Sequence, residues 1–225
     1  MEEESKAKRI CHHERPAREE DMLSKLPDSL ISQILFYLPT KEAVRTSVLS
    51  HRWESLWILI SELDLNSHEF PEYNAFAGFV DRFLDSCRED KSCLHKLTLK
   101  ILRRKNDKPC LTRWIDFVAR TRKLKHLDVE YHYVSRKRLE VTPVSLYVCE
   151  TLLYLRLNRV LVGQFDSVSL PCLKTMRLEN NTYASATGPE LLISSCPLLE
   201  DLSIVRRLDD NVRVLRVRSQ TITSL

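Results

Sequence analysis

Apolar residues recur along residues 60–225 in the spacing L-x-x-L-x-L. With conservative replacements the template occurs six times, at Ile60-Leu63-Leu65, Leu94-Leu97-Leu99, Leu124-Leu127-Val129, Leu152-Leu155-Leu157, Leu173-Met176-Leu178 and Leu199-Leu202-Ile204. The last two apolar positions of each copy alternate with polar ones, which is the period of a half-buried strand. The steps between copies, 21 to 34 residues, predict a degenerate repeat in which each copy adds one strand to a parallel sheet.

Helical periodicity occupies the segments between these strands. Two segments place apolar residues at i, i+3, i+4, i+7 and i+8, namely Phe76, Phe79, Val80, Phe83 and Leu84, and Leu111, Trp114, Ile115, Val118 and Ala119. Residues 189–196 predict a shorter covering turn. Connectors of this kind cover one face of the sheet, so the array is expected to curve into an arc whose inner surface carries the outward strand positions. A seventh template begins at Ile222, and the additional match Val212-Leu215-Val217 fits either a short strand or part of a loop.

Residues 23–60 carry three short helical signatures. The first repeats an apolar residue every four positions, at Leu26, Leu30 and Ile34. Pro27 suits its first turn and Pro39 closes it, while Thr40 and Ser50 can cap the second and third helices. This apolar surface is too large to be hidden inside so short a segment. It either packs on the rest of the chain or docks a partner protein.

The same residues resemble an F-box of the kind found in plant F-box and leucine-rich-repeat proteins. The resemblance covers about residues 22–60 and rests on four blocks in order: Leu26-Pro27-Asp28, Leu38-Pro39-Thr40, Val48-Leu49-Ser50-His51-Arg52-Trp53 and Leu56-Trp57. It implies an α/β fold class, in which an N-terminal three-helix F-box is fused to a curved leucine-rich-repeat solenoid with a parallel sheet on the concave face.

The resulting division of the chain has three parts: 1–21 as a disordered tail, 22–60 as the F-box and 61–225 as a repeat region that is incomplete at its C-terminus. The tail holds too few apolar side chains for their burial to offset the conformational entropy lost on folding. An open repeat end exposes core residues and strand edges, so we expect a truncated product or a poorly soluble fragment.

The resemblance implies the substrate-recognition subunit of a cullin-based, SCF-type E3 ubiquitin ligase, which is not itself an enzyme. The F-box would bind the ligase adaptor and through it the cullin, and the repeats would bind an unknown target protein. The adaptor-binding residues carried over from the resemblance are Leu26, Pro27, Leu30, Ile34, Leu35, Leu38 and Pro39, with Val44, Val48 and Trp53 completing the docking surface or its support. Two alternatives stay open: a protein-interaction scaffold independent of ubiquitin, and, third, a nucleic-acid-binding protein that uses residues 100–140.

The outward strand positions hold no recognisable catalytic set. They mix charges of both signs with one Tyr and one His, which suits protein recognition, although a merely solvated sheet face has the same composition. The residues predicted to bind the target are His126, Asp128, Tyr154, Arg156 and Arg177.

The amino-acid composition argues against several kinds of functional site. The 225 residues carry a net charge of +4 and only three Gly, so no glycine-rich phosphate loop can be written. Seven Cys without a C-x-x-C pair predict buried, reduced thiols and no metal site. The longest purely apolar run, 56–60, is far shorter than the ~20 residues of a membrane span. We therefore expect no cofactor, no membrane contact and a location in the nucleus, the cytoplasm or both.

One segment is strongly basic. Between Lys100 and Glu140 there are thirteen Lys or Arg and five Asp or Glu. Such a concentration could steer nucleic acid or an acidic partner. However, the charges fall in predicted loops and helix ends, and Tyr131 and Tyr133 are the main aromatic residues available for base stacking, so solvated loops are the favoured interpretation.

Overall fold

The computed structural model describes residues 25–49, 53, 56, 60–89, 94–104, 106–121, 123–133, 139–207, 209–212, 214–217 and 221–224. Its α-helices are α1 (Asp28–Phe36), α2 (Thr40–Arg45), α3 (Tyr73–Glu89), α4 (Leu111–Arg120) and α5 (Gly188–Ser194). Its strands are β1 (Glu62–Asn66), β2 (Lys96–Arg103), β3 (His126–Tyr133), β4 (Tyr154–Asn158), β5 (Leu161–Val162), β6 (Thr175–Glu179), β7 (Thr182–Tyr183) and β8 (Asp201–Val205). Short 3-10 turns occupy Thr46–Val48, Ser67–Glu69 and Val144–Val148. The predicted tail 1–21 lies outside the described residues.

The main sheet has six parallel strands in the order β1-β2-β3-β4-β6-β8. Each strand coincides with one of the six predicted templates, so the strand and parallel-sheet predictions are confirmed. The strands also start alike, because the carbonyl just before one strand accepts two consecutive N–H groups of the next. His95 O, for example, accepts from Lys125 N at 2.8 Å and from His126 N at 3.0 Å. At the seventh template, Ser224 forms a single parallel bridge with Asp201.

A second sheet of two short parallel strands, β5 and β7, was not predicted. Strands of two residues are too short to show periodicity. They follow turns at Arg159 and Asn180, whose φ angles of 60° and 52° lie in the left-handed region. The buried Asn181 amide fixes the turn at Arg159, because its Oδ1 accepts from Val160 N at 3.0 Å and its Nδ2 donates to Leu157 O at 2.8 Å.

Two amphipathic helices, α3 and α4, cover the sheet where the helical periodicity placed them. Their apolar residues join the inward strand residues in one large hydrophobic core. The shorter covering turn predicted at residues 189–196 is observed as helix α5. The match at 212–217 forms no strand in the described residues. Val212 is buried and Leu215 packs against the large core, so this segment serves as a covering loop.

The N-terminal helices enclose a separate, smaller cluster. Its buried members are Ile31, Leu35, Ala43, Trp53 and Leu56. Pro27, predicted in the first turn of α1, is its N-cap residue. Thr40, predicted to cap α2, is already helical, and Pro39 is the N-cap residue of α2. Pro27 O accepts from the N–H groups of two α1 residues, which its extended backbone allows. Of the predicted third helix, Trp53 and Leu56 are helical, whereas Ser50 and Trp57 lie outside the described residues.

Specific contacts join this helical cluster to the sheet. The Thr40 hydroxyl accepts a hydrogen bond from Asp64 N in β1 at 3.2 Å. Lys41 Nζ donates to Glu69 O at 2.5 Å and lies 5.2 Å from the centre of the Phe70 ring. Ile60, the first residue of the first template, packs on the helical cluster, whereas its counterparts in the other templates are buried in the large core. The curvature of the array and the full third helix remain predictions.

Candidate functional site

Helix α1 is apolar on two sides. Ile31 and Leu35 point into the small cluster and are at most 1% exposed. Leu30 and Ile34, on the adjoining side, are 44% and 39% exposed. Leu30 and Ile34, together with the exposed rings of Phe36 and Tyr37 at the end of the helix, are called here the α1 surface. Four large apolar side chains are therefore open to solvent within eight residues.

The structure separates the predicted adaptor-binding residues into two groups. Exposed or partly exposed are Leu26, Pro27, Leu30, Ile34, Leu38, Pro39, Val44 and Val48. Buried are Leu35, whose predicted place on the adaptor-facing surface this corrects, and Trp53, for which a supporting role was one of the two predictions. Leu35 follows Ile31 by four residues and so shares its inward side. Both residues act as support.

Exposed residues that the predicted set omitted are Phe36, Tyr37 and Leu49. For Phe36 and Tyr37 the available signal was the unbroken apolar run 34–38, but no periodicity within it distinguishes buried from exposed positions.

A second surface is the open face of the main sheet, defined by the strand side chains that point away from the large core. Strand register arranges them in three rows. In order from β1 to β8 these are Glu62, Lys96, His126, Tyr154, Thr175 and Asp201; then Asp64, Thr98, Asp128, Arg156, Arg177 and Ser203; then Asn66, Lys100, Glu130, Asn158, Glu179 and Val205. The predicted outward positions therefore share one face.

Arg156 organises the middle of this face. Its Nε and Nη2 donate to the two carboxylate oxygens of Glu179 at 2.9 and 2.8 Å. Its Nη1 donates to Asp128 at 3.1 Å and lies 3.7 Å from Glu130. These bonds to Glu179 and the neighbouring charge of Asp128 raise the pKa of Arg156, although burial opposes them. The guanidinium is thus already paired, so Arg156 positions carboxylates and is not a free cation.

An aromatic pair lies beside it in the first row. The His126 and Tyr154 rings are stacked, with centroids 4.0 Å apart and planes 1° from parallel. Burial, reinforced by the charge of Lys96, lowers the pKa of His126 below its ordinary value, so the ring is uncharged at neutral pH. The pair is half-buried and offers flat, neutral surface next to charged groups.

The five residues predicted for target binding are therefore neighbours. Arg177 lies next to Arg156 in the second row and pairs with Asp201 at 3.5 Å. Glu130, Asn158 and Glu179 belong to the same patch but were not in the predicted set. Their shared register with the predicted residues was the signal that could have included them. Target binding itself stays a prediction.

The basic segment is less available than its composition indicates. Arg103 is buried and donates to Glu140 Oε1 at 3.3 Å and to the Tyr131 hydroxyl at 3.1 Å. Tyr131 is fully buried, so it cannot stack on a base. Arg113 and Arg120 are paired with Asp81 and Asp116, both at 2.7 Å. Tyr133's side chain and residues 105, 122 and 134–138 lie outside the description.

Five cysteines fall in the described residues, and all are free thiols; Cys87, Cys110, Cys149 and Cys196 are buried. Burial raises the pKa of Cys196 to about 12, so it is protonated and unreactive. Across the described residues, no helix combines the length and apolar character needed to cross a bilayer. Within the same part of the chain, no group of three His, Cys, Asp or Glu side chains is arranged around a metal position.

A small helical cluster with an open apolar helix, joined to a parallel strand repeat with a charged open face, defines a protein-interaction molecule. Comparison with protein families identifies it more closely. The F-box domain model matches residues 23–61. The model described as "FBD-associated F-box protein At5g56370, LRR repeats" matches residues 111–225. The chain belongs to this plant family of FBD-associated F-box proteins with leucine-rich repeats.

Individual relatives from Arabidopsis thaliana agree. The chain is 64% identical over 208 residues to FBD-associated F-box protein At5g44490, covering 92% of this chain and 43% of that protein. It is 60% identical over 226 residues to putative FBD-associated F-box protein At5g22720, covering 99% and 48%. It is 56% identical over 227 residues to putative F-box/FBD/LRR-repeat protein At5g22610, covering 99% and 44%. The chain spans less than half the length of these relatives.

Proposed function

We propose that the chain is the substrate-recognition subunit of a cullin-based E3 ubiquitin ligase. The α1 surface binds the ligase adaptor, and the open face of the sheet, curved into an arc, receives a target protein. The F-box match supports the first part and the repeat match supports the second. The observation that carries the proposal is the exposure of Leu30 and Ile34 beside a helix side that is already fully packed.

The physical argument concerns unsatisfied apolar surface. Removing such side chains from water contributes roughly 25 cal/mol for each Å² of apolar area. The interior of the small cluster is filled by the adjoining side of α1, so Leu30, Ile34 and Phe36 stay exposed among the described residues and would gain this energy on binding another polypeptide. An amphipathic helix that offers apolar side chains at i and i+4 is a common docking element.

The chain's role in this proposal is binding. Holding a target beside the ligase raises its effective concentration and orients it, while ubiquitin transfer belongs to other subunits. In this assignment the chain is a recognition subunit with no chemistry of its own, and it works in the nucleus, the cytoplasm or both.

The test is the double variant Leu30→Asp with Ile34→Asp. Two charges on the α1 surface cannot be buried against an apolar partner without a large penalty, so adaptor co-purification should be lost. The matched control is Val144→Asp with Val148→Asp, which also changes two exposed apolar side chains spaced four apart, but in the 3-10 turn Val144–Val148 that packs beside α4. This control should retain the adaptor, and thermal melting should show that both variants stay folded.

Two results are informative against the proposal. Normal adaptor recovery from the Leu30/Ile34 variant would overturn the docking assignment. Adaptor binding without capture of the cullin would replace the ligase role with a scaffold independent of ubiquitin.

A further inference from the structure

The middle of the open face has an excess of negative charge. Asp128, Glu130 and Glu179, called here the acidic centre, surround the single guanidinium of Arg156. The charge of Lys100 also acts on Glu130, so two cations face three carboxylates and one negative charge is left unbalanced. Burial raises the pKa of Glu130, but the hydrogen bond from His132 and the charge of Arg156 outweigh it and bring the pKa below its ordinary value, so this carboxylate is ionised at neutral pH.

His132 contributes a hydrogen bond to this centre. Its Nδ1 lies 2.8 Å from Arg159 Nη1, and since a guanidinium can only donate, Nδ1 is the acceptor. Its Nε2 therefore donates to Glu130 Oε1 at 3.0 Å. Glu130 gains one donor in this way, while the carboxylates of the acidic centre still outnumber the cations beside them.

An independent observation points to a missing donor at the same place. Asn158 is only 6% exposed and lies in the third row between Glu130 and Glu179. Its Nδ2 donates to Glu179 Oε2 at 3.2 Å, but its Oδ1 has no hydrogen-bond partner. A buried acceptor without a donor destabilises the fold, and a ligand that supplies the donor removes that cost. Here the unpartnered oxygen lies between two carboxylates of the same row, so a donor is missing at this position.

We propose that the open face recognises a basic segment of the target protein and that an arginine guanidinium of that segment binds at the acidic centre. This inference rests on the proposed function, in which the open face is the target-binding surface. Arginine fits because its planar fork carries five donors and can bond carboxylates on two sides at once, as Arg156 already does. The ammonium group of lysine is a point charge and serves fewer acceptors. The stacked His126 and Tyr154 rings add a flat neutral surface for a neighbouring residue of the same segment.

The test uses the full chain and three fluorescein-labelled octapeptides of Gly and Ser with two central positions that are arginine, lysine or citrulline. Citrulline has the shape of arginine without the charge. Fluorescence anisotropy at low salt should show the arginine peptide binding on the order of tenfold more tightly than the citrulline peptide, because charge-assisted bonds dominate the difference. The lysine peptide should fall between them.

Variants connect this preference to the acidic centre. Glu130→Gln and Glu179→Gln should each reduce the arginine preference several-fold, whereas the matched control Glu62→Gln, on the same face but paired with Lys96 at 2.9 Å near β1, should keep it.

Equal binding of the arginine and citrulline peptides by the unchanged protein would overturn the inference, as would an arginine preference that survives both Glu130→Gln and Glu179→Gln. Equal binding of arginine and lysine would overturn the choice of a guanidinium. The adaptor test with Leu30 and Ile34 concerns another surface. If the peptides show no arginine preference while the Leu30/Ile34 variant loses the adaptor, only this inference fails. If the arginine preference is present while that variant keeps the adaptor, only the docking assignment fails.

Discussion

At the scale of single residues, Glu140 connects more of the fold than any local pattern indicates. The side chain is 5% exposed and accepts from Arg103 Nη1 at 3.3 Å and from the Tyr131 hydroxyl at 3.0 Å. It also accepts from Cys110 N and Thr112 N, both at 3.3 Å. One carboxylate thus serves the ends of β2 and β3 and the first turn of α4. A buried carboxylate is tolerated only with such compensation.

Replacing Glu140 by Leu should lower the free energy of unfolding by about 3–5 kcal/mol, because it removes the carboxylate that pairs with the buried Arg103 charge. Urea denaturation measures this loss. Glu200→Ala, which breaks the exposed pair with Lys174, is the control and should change stability by less than about 1 kcal/mol. A loss of similar, small size in both variants would show that the Glu140 network contributes nothing to stability.

At the scale of elements, one acidic side chain of α3 forms hydrogen bonds with two residues of α4. Asp81 in α3 accepts from Arg113 Nη2 at 2.7 and 2.9 Å and from the buried Trp114 Nε1 at 2.6 Å, both in α4. The Trp114 ring also meets Phe76 edge-on, with centroids 5.7 Å apart. These side-chain bonds between α3 and α4 fix the position of one helix relative to the other.

Asp81→Ala should therefore destabilise the fold by about 1–3 kcal/mol, because the indole N–H of Trp114 is left buried without an acceptor. Asp85→Ala removes an exposed carboxylate one turn further along α3 and is the matched control, with little expected change. The two midpoints of denaturation in urea give the comparison. If the two variants unfold at the same urea concentration, the Asp81 bonds do not hold the helices together.

At the scale of the whole molecule, the helical cluster and the sheet meet through few polar contacts. Thr40 Oγ1 accepts from Asp64 N, and Lys41 reaches Glu69 O and the Phe70 ring. The small cluster has its own apolar interior, separate from the large core. The proposed function needs this junction to hold, because it sets where a bound target stands relative to the adaptor.

Thr40→Val with Lys41→Met should loosen the junction without emptying either core. Each lost hydrogen bond is worth about 0.5–1.5 kcal/mol, so amide exchange in residues 28–45 should accelerate by roughly tenfold. Hydrogen-exchange mass spectrometry would detect this, with exchange in β2 to β6 unchanged. Lys108→Met, an exposed substitution away from the junction, is the control. Unchanged exchange in residues 28–45 would mean that the helical cluster does not depend on these contacts.

The amino-acid sequence by itself determined the elements and their buried sides. Alternation in the six templates predicted β1, β2, β3, β4, β6 and β8, and helical spacing predicted α3 and α4. These patterns are local: a side chain's inward or outward direction depends only on its place in a strand or helix turn. Each F-box block is likewise a short continuous stretch of sequence, so the family resemblance is visible without a structure. The matching family models confirm it.

Only the tertiary structure decided which distant side chains meet. Arg156 bonds Asp128, 28 residues earlier, and Glu179, 23 residues later, while Arg103 and Glu140 are 37 residues apart. Because the steps between repeats are irregular, sequence distance does not reveal these pairs, and strand register has to bring them together. The run 34–38 is apolar throughout, so only packing showed that Leu35 is interior and Ile34 exposed. The excess acceptors of the open face arise from that register, since no single strand contains them.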